Sequence, residues 1–180
     1  MAAITSAEIL YKYSVTAAAG NTTAGTASGS LGDQISTTVI PDATLNALFD
    51  DISGAENAAN TVDYRCIFIH NSNSANTLQN AVMWLSAEVA GGASIAIGVD
   101  TTAASAIGSA SAQALTVANE NTAPAGVTFT SPTTFGAGIS LGNIPNGSCR
   151  AVWIRRTAAN SAALNNDGVT FSVQGDTAAA

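Results

Sequence analysis

Acid–base, nucleophilic and metal chemistry each require particular side chains, and this chain carries few of them. His70 is the one histidine in 180 residues. Histidine titrating near neutrality is the usual general base, but His70 closes the apolar run "IFIHN" and reads as a strand-end residue. Cys66 and Cys149 each sit inside an apolar run. A Cys–His nucleophile would need one of them as a thiolate, which burial opposes. No "GxSxG" elbow precedes a helix, so a serine nucleophile has no seat. Zinc asks for closely spaced Cys and His, which the chain lacks. "NNDG" (165–168) is missing the repeated acids and distant Glu of a calcium loop; it reads as a hairpin turn. "AGTASGSLG" has neither the Lys nor the strand–helix setting of a phosphate loop. The expectation is no catalytic residue, no metal, no cofactor and no enzyme.

One charged constellation remains. The chain has five Lys and Arg in all, and Arg150, Arg155 and Arg156 fall within "CRAVWIRRT" (149–157), around Trp153 and Ile154. Arg beside aromatic residues marks the energetic centre of many interfaces. These five, with Arg65, Ile67 and Ile69 of "YRCIFIH", are the candidate interface residues. Asp50 and Asp51 form the only paired carboxylates and disfavour the helix end predicted there, which calls for a cation nearby. Two readings stay open: the arginines dock on acids of a neighbour, or they form an internal network with Asp50, Asp51 or Asp167.

Composition narrows the partners. Hydrophobic residues make up 47% and charged residues 9%, against about 25% charged in ordinary globular chains. Such a chain is too apolar for disorder and sparsely charged for a lone cytosolic protein; a surface of Ala, Ser, Thr, Asn and Gly suits contact with neighbouring subunits. A net charge of −7 argues against nucleic acid. No stretch approaches the length of a membrane span. "MAAITSAEILYKYS" lacks a basic segment followed by an apolar run, so no signal peptide is expected. "NTT" at Asn21 and "NGS" at Asn146 are then chance matches to a glycosylation site.

The elements that must position these residues are mostly strands. Residues 8–15 alternate as a first strand. Residues 17–38 hold almost no large apolar side chain and read as an arm. Ordering about 20 such residues costs on the order of 20–40 kcal/mol, so the arm is expected to be held by neighbouring subunits. "PDATLNALFDDISG" places Leu45, Leu48, Phe49 and Ile52 at helical spacing after a possible cap at Asp42, with Gly54 as the stop. From residue 62 onward, "DYRCIFIHN", "TLQNAVMWLSAEV", "ASIAIGVD", "QALTVANE", "GVTFTSP", "GISLGNI", "SCRAVWIRRT" and "VTFSVQG" follow as short strands between Gly, Pro and Asn turns. This pattern predicts a mainly β chain: one antiparallel β-sandwich, immunoglobulin-like or jelly-roll, with one short helix and an extended N-terminal arm. Its parts are a strand, arm and helix over 1–60, the sandwich over 61–177, and a loose tail at 178–180. The order Cys66, Trp84, Cys149 resembles an immunoglobulin core, but Tyr64 precedes the first Cys rather than the second, and free buried thiols are expected.

A half-buried strand is apolar on one side only. "VTFSVQ" obeys that rule, whereas "YRCIFIH", "AVMWL" and "RAVWIRR" are apolar on both. Something must cover the second face: the predicted helix, the N-terminal strand or another subunit.

At "DYRCIFIHNSNSANTLQNAVMWL", "NENTAPAGVTFTSP", "NIPNGSCRAVWIRRT" and "NNDGVTFSVQGDT", over roughly residues 62–177, the sequence resembles small virion structural proteins of tailed bacteriophages. The resemblance implies a β-sandwich component of the particle, made in the host cytoplasm and located in the virion, acting as a decoration or cement protein on the capsid. Its partners would be the major capsid protein or other virion proteins, with homo-oligomers, trimers among them, also expected. A place in the neck, tail or fibre base is the alternative. A carbohydrate-binding adhesion module is a further one, and would need an exposed Trp or Tyr on a shallow face.

Overall fold

Two of the strands with two apolar faces lie side by side at the centre of the molecule. In the computed structural model, which describes residues 3–16 and 20–177, the strands are β1 (Ile9–Val15), β2 (Gln34–Val39), β3 (Val62–Asn71), β4 (Leu78–Glu88), β5 (Ser94–Val99), β6 (Ser105–Ala106), β7 (Ile139–Ile144), β8 (Ser148–Thr157) and β9 (Val169–Thr177). β3 and β8 pair antiparallel from Val62↔Thr157 to Asn71↔Ser148. They form the middle of a large sheet ordered β2-β1-β3-β8-β5, with β6 also paired to β8. A smaller sheet runs β7-β4-β9. The two antiparallel sheets pack into a β-sandwich. β1 and β2, from the first 60 residues, are thus part of the sandwich.

Alternation sets what each face meets. Ile67, Ile69, Val152 and Ile154 point between the sheets, against Ala81, Met83, Leu85, Leu141 and Ile144 of the small sheet. Cys66, Phe68, Ala151 and Trp153 point the other way into a second core. That second face is covered by coil from the same chain, not by a helix or the N-terminal strand. Leu31 comes from one segment; Ala114, Leu115, Val117, Val127 and Phe129 come from a longer one. "QALTVANE" and "GVTFTSP", expected as strands, lie in this cover and add only the isolated bridges Gly32↔Thr116 and Ile97↔Thr130. Their apolar residues answer to Trp153 beneath them and not to a ladder.

The expected arm is likewise held by its own chain. Cys66 donates its N–H to Ser30 O at 2.8 Å, Val117 to Leu31 O at 3.0 Å, and Asp33 to Leu115 O at 3.2 Å. Ser14 Oγ accepts from Gly32 N, and Gln113 Oε1 from Ile35 N. Hydrogen bonds and β2 pairing replace the apolar burial that the segment lacks. Residues 17–19 of that segment, and the expected tail at 178–180, lie outside the described residues.

The helix forms only after the stretch that its apolar spacing implies. Ala43 and Asn46 have φ of 51° and 58°, a left-handed backbone that ends any helix, so residues 41–53 run as turns. Leu45 is left 71% exposed. The helix α1 occupies Gly54–Ala59, and Gly54 begins it instead of ending it. A capping box sets this start: Ser53 accepts from Glu56 N, and the Glu56 carboxylate accepts from Ser53 N, satisfying two first-turn donors at once.

Coil and sheet fit most tightly at Gly32. Its φ is 99°, and a Cβ there would sit 1.8 Å from Leu115 O. Gly32→Ala should cost about 3 kcal/mol in urea unfolding and shift Trp153 fluorescence to the red as the cover lifts. Unchanged emission with unchanged stability would show that the cover does not depend on this approach.

Candidate functional site

Each of the five cations stands on a strand and reaches a segment that is not a strand. Lys12 Nζ on β1 donates to Asn21 Oδ1 at 2.6 Å. Arg65 on β3 pairs with Glu120 of the long cover. Arg150 on β8 donates to the carbonyls of Thr102 and Asp100. Arg155 lies with its guanidinium 5.3 Å from the Phe129 ring. Arg156 bonds Asp63 Oδ2 through Nε at 3.1 Å and Nη2 at 2.7 Å, and also reaches Asp50 through its carbonyl and its Oδ1. Phe49 receives two of these cations, Arg156 at 4.7 Å and Arg65 at 5.6 Å. Charge-assisted bonds of this kind are the strong ones, and here they hold turns 41–53 and the cover onto the sheet. Of the internal acids named from sequence, Asp50 joins the network; Asp51 and Asp167 form no ion pair with an arginine among the described residues.

Placement sorts the eight interface candidates. Ile67, Ile69, Trp153 and Ile154 have no exposed surface and pack into the chain's own two cores. Arg65 and Arg156 are buried with their partners. Arg150 and Arg155 alone keep part of their surface open. Arg155 is also the one cation with no oxygen acceptor among the described residues.

Asp100, at the end of β5, carried no weight in the sequence. It is 1% exposed. Its Oδ2 accepts from Trp153 Nε1 at 2.7 Å and from Leu115 N at 2.9 Å, and its Oδ1 accepts from Thr102 N at 2.7 Å. One carboxylate thus fixes the largest buried side chain and two points, Thr102 and Leu115, of the coil that follows β5. The only sequence signal was an acid directly after an apolar strand, which surface turns also show.

The histidine is buried rather than exposed. His70 is 5% exposed, opposite Cys149 across β3 and β8. Neither ring nitrogen has a hydrogen-bond partner among the described residues. Burial, and then the Lys12 charge, lower its pKa to about 4. Burial pushes the Cys149 thiol up to about 12, against smaller opposing effects from Ser105 and Lys12, and raises Cys66 as well. Neither sulfur is a thiolate, and the pair stays unlinked. At neutral pH this cluster carries no charge.

Outside, Trp84 on β4 meets Phe135 edge-on at 5.7 Å, and Phe135 is 46% exposed. No family model, curated protein or solved structure matches the chain.

Two measurements follow from this geometry. Asp100→Ala leaves one buried and two part-buried donors without their acceptor and should cost about 3 kcal/mol by urea unfolding, a larger loss than at any exposed acid. His70 holds a folded pKa below its unfolded value, so its contribution is present above pH 6.5 and lost as pH falls toward 4. Stability should drop by up to about 3 kcal/mol over that window. His70→Gln should remove that part of the pH dependence; an identical profile would show that other groups set it.

Proposed function

We propose that the chain is a virion structural protein that binds and stabilises an assembled phage shell as a decoration or cement protein. The observation that supports this reading is the inward use of positive charge. With four of the five cations bonded to oxygens of the chain itself and Arg155 stacked on Phe129, what is left outside is mostly acidic, neutral and small-residue surface. Val39, Leu45, Val89, Phe135 and Leu164 are set singly into it. Such a surface suits shallow contacts repeated over a lattice, where many weak bonds add to firm attachment. Buried, neutral His70, Cys66 and Cys149 fit a structural role better than catalysis. The sequence resemblance to virion proteins points the same way, with the major capsid protein as the natural partner.

A second reading has one observation in its favour. The Trp84–Phe135 pair offers a partly open aromatic surface of the kind that stacks on sugars, which suits an adhesion module at a tail or fibre base.

Purified chain added to emptied phage shells that lack it decides between these roles. A cement protein saturates the shell and raises its melting temperature by mass action. A chain that ignores shells but binds tails, or binds host glycans through Trp84, refutes the capsid assignment.

A further inference from the structure

Sheet edges are templates for pairing with another chain, and proteins normally guard them. Both edges of the large sheet are guarded. On β2, Ile35 O accepts from Asn21 N at 2.6 Å, and Thr37 N donates to Thr23 O at 2.9 Å. On β5, Ile97 exchanges two bonds with Thr130 at 2.8 and 3.0 Å, and Ser131 Oγ donates to Ile95 O at 2.6 Å. In the small sheet, β7 packs beside β5. The outer edge of β9 is different. Among the described residues no backbone group bonds it between Val169 and Asp176; only Ile4 N reaches the Thr177 side chain at its end.

The strand has none of the usual guards. "VTFSVQGDT" holds no Lys, Arg or Pro, and its single charge, Asp176, lies near the end. Nine residues give an edge about 30 Å long. Gly168 O and Thr170 O face β4, where they accept from Val89 N and Ser86 Oγ. The period of two then directs the N–H and C=O groups of Val169, Phe171 and Val173 outward. The side chains of these three residues pack against the core but stay only half-buried.

The geometry points to β9 as a homodimer edge, pairing antiparallel with β9 of a second copy across a two-fold axis. A second copy fits because antiparallel self-pairing presents the same edge on both sides. It sets outward-directed residues opposite one another, and keeps Val169, Phe171 and Val173 of both copies on the core side. The middle of the strand carries no charge to repel its like. The result is one six-stranded sheet running through both molecules, and it needs no shell or other partner to form.

Sedimentation of the full chain over a range of concentrations, with amide hydrogen exchange, tests this. The expected species has twice the 17.8 kDa chain mass, with the Phe171 and Val173 amides protected. Val173→Pro removes an outward N–H that β4 does not use, and Gln174→Lys places like charges across the two-fold. Each should remain folded by far-UV circular dichroism while raising the dimer Kd by about tenfold or more, the weight of about 1.4 kcal/mol. A chain that is monomeric throughout, with those amides exchanging freely, overturns the assignment. So does a dimer that neither variant weakens.

Discussion

The buried carboxylate of Asp100 joins the two halves of an unusual arrangement. A sheet with two apolar faces needs a cover for each. The small sheet covers one, but the chain has only coil, rich in Ala, Gly, Ser and Thr, for the other. Such coil gains little from apolar burial and loses conformational freedom throughout its length. Asp100 compensates by accepting from the indole of Trp153 and from two backbone groups of the cover. A buried carboxylate without its donors is costly, so indole, cover and acid are stable only together. The five cations extend the same logic, each fastening a strand to coil.

This division explains what could be read in the sequence. Alternation is a local signal, and β1, β3, β4, β5, β7, β8 and β9 follow from it. The two-faced character of β3 and β8 was equally legible, since each face is visible in one short run. The identity of the cover was not. Leu115, Val117, Val127 and Phe129 resemble strand residues because they pack on Trp153, yet their backbone bonds run to turns and to Asp100 rather than along a strand ladder. The missed helix start has a similar origin. Leu45, Leu48, Phe49 and Ile52 have helical spacing, but Phe49 is held under two guanidiniums and Ala43 and Asn46 turn left-handed. Long-range charge contacts outweighed local periodicity there. Arg156 with Asp63 and Asp50, Arg65 with Glu120, and Asp100 with Trp153 join distant residues, which no window along the chain contains.

The same network bears on the proposed role. Arginine beside tryptophan has the composition of an interface hot spot, but burial and bonding decide its use. Trp153 and Arg156 serve the interior, and Arg155, only partly buried, is the one arginine without an oxygen partner among the described residues. Recognition by other molecules is then left to neutral polar surface, scattered apolar residues and backbone at a sheet edge. These features suit permanent, repetitive contact better than selective binding of a small ligand.

The central position of β8 also has a consequence for how the molecule is made. β8 lies between β3 and β5, yet it emerges from the ribosome long after both. At about 5–20 residues per second, the segment from β3 to β8 takes on the order of ten seconds to synthesise. Throughout that interval β2, β1 and β3 can pair, but Ile67, Phe68 and Ile69 lack the β8 residues that complete both cores. The large sheet therefore cannot close until β8 has been made, and the apolar faces of β3 wait for it.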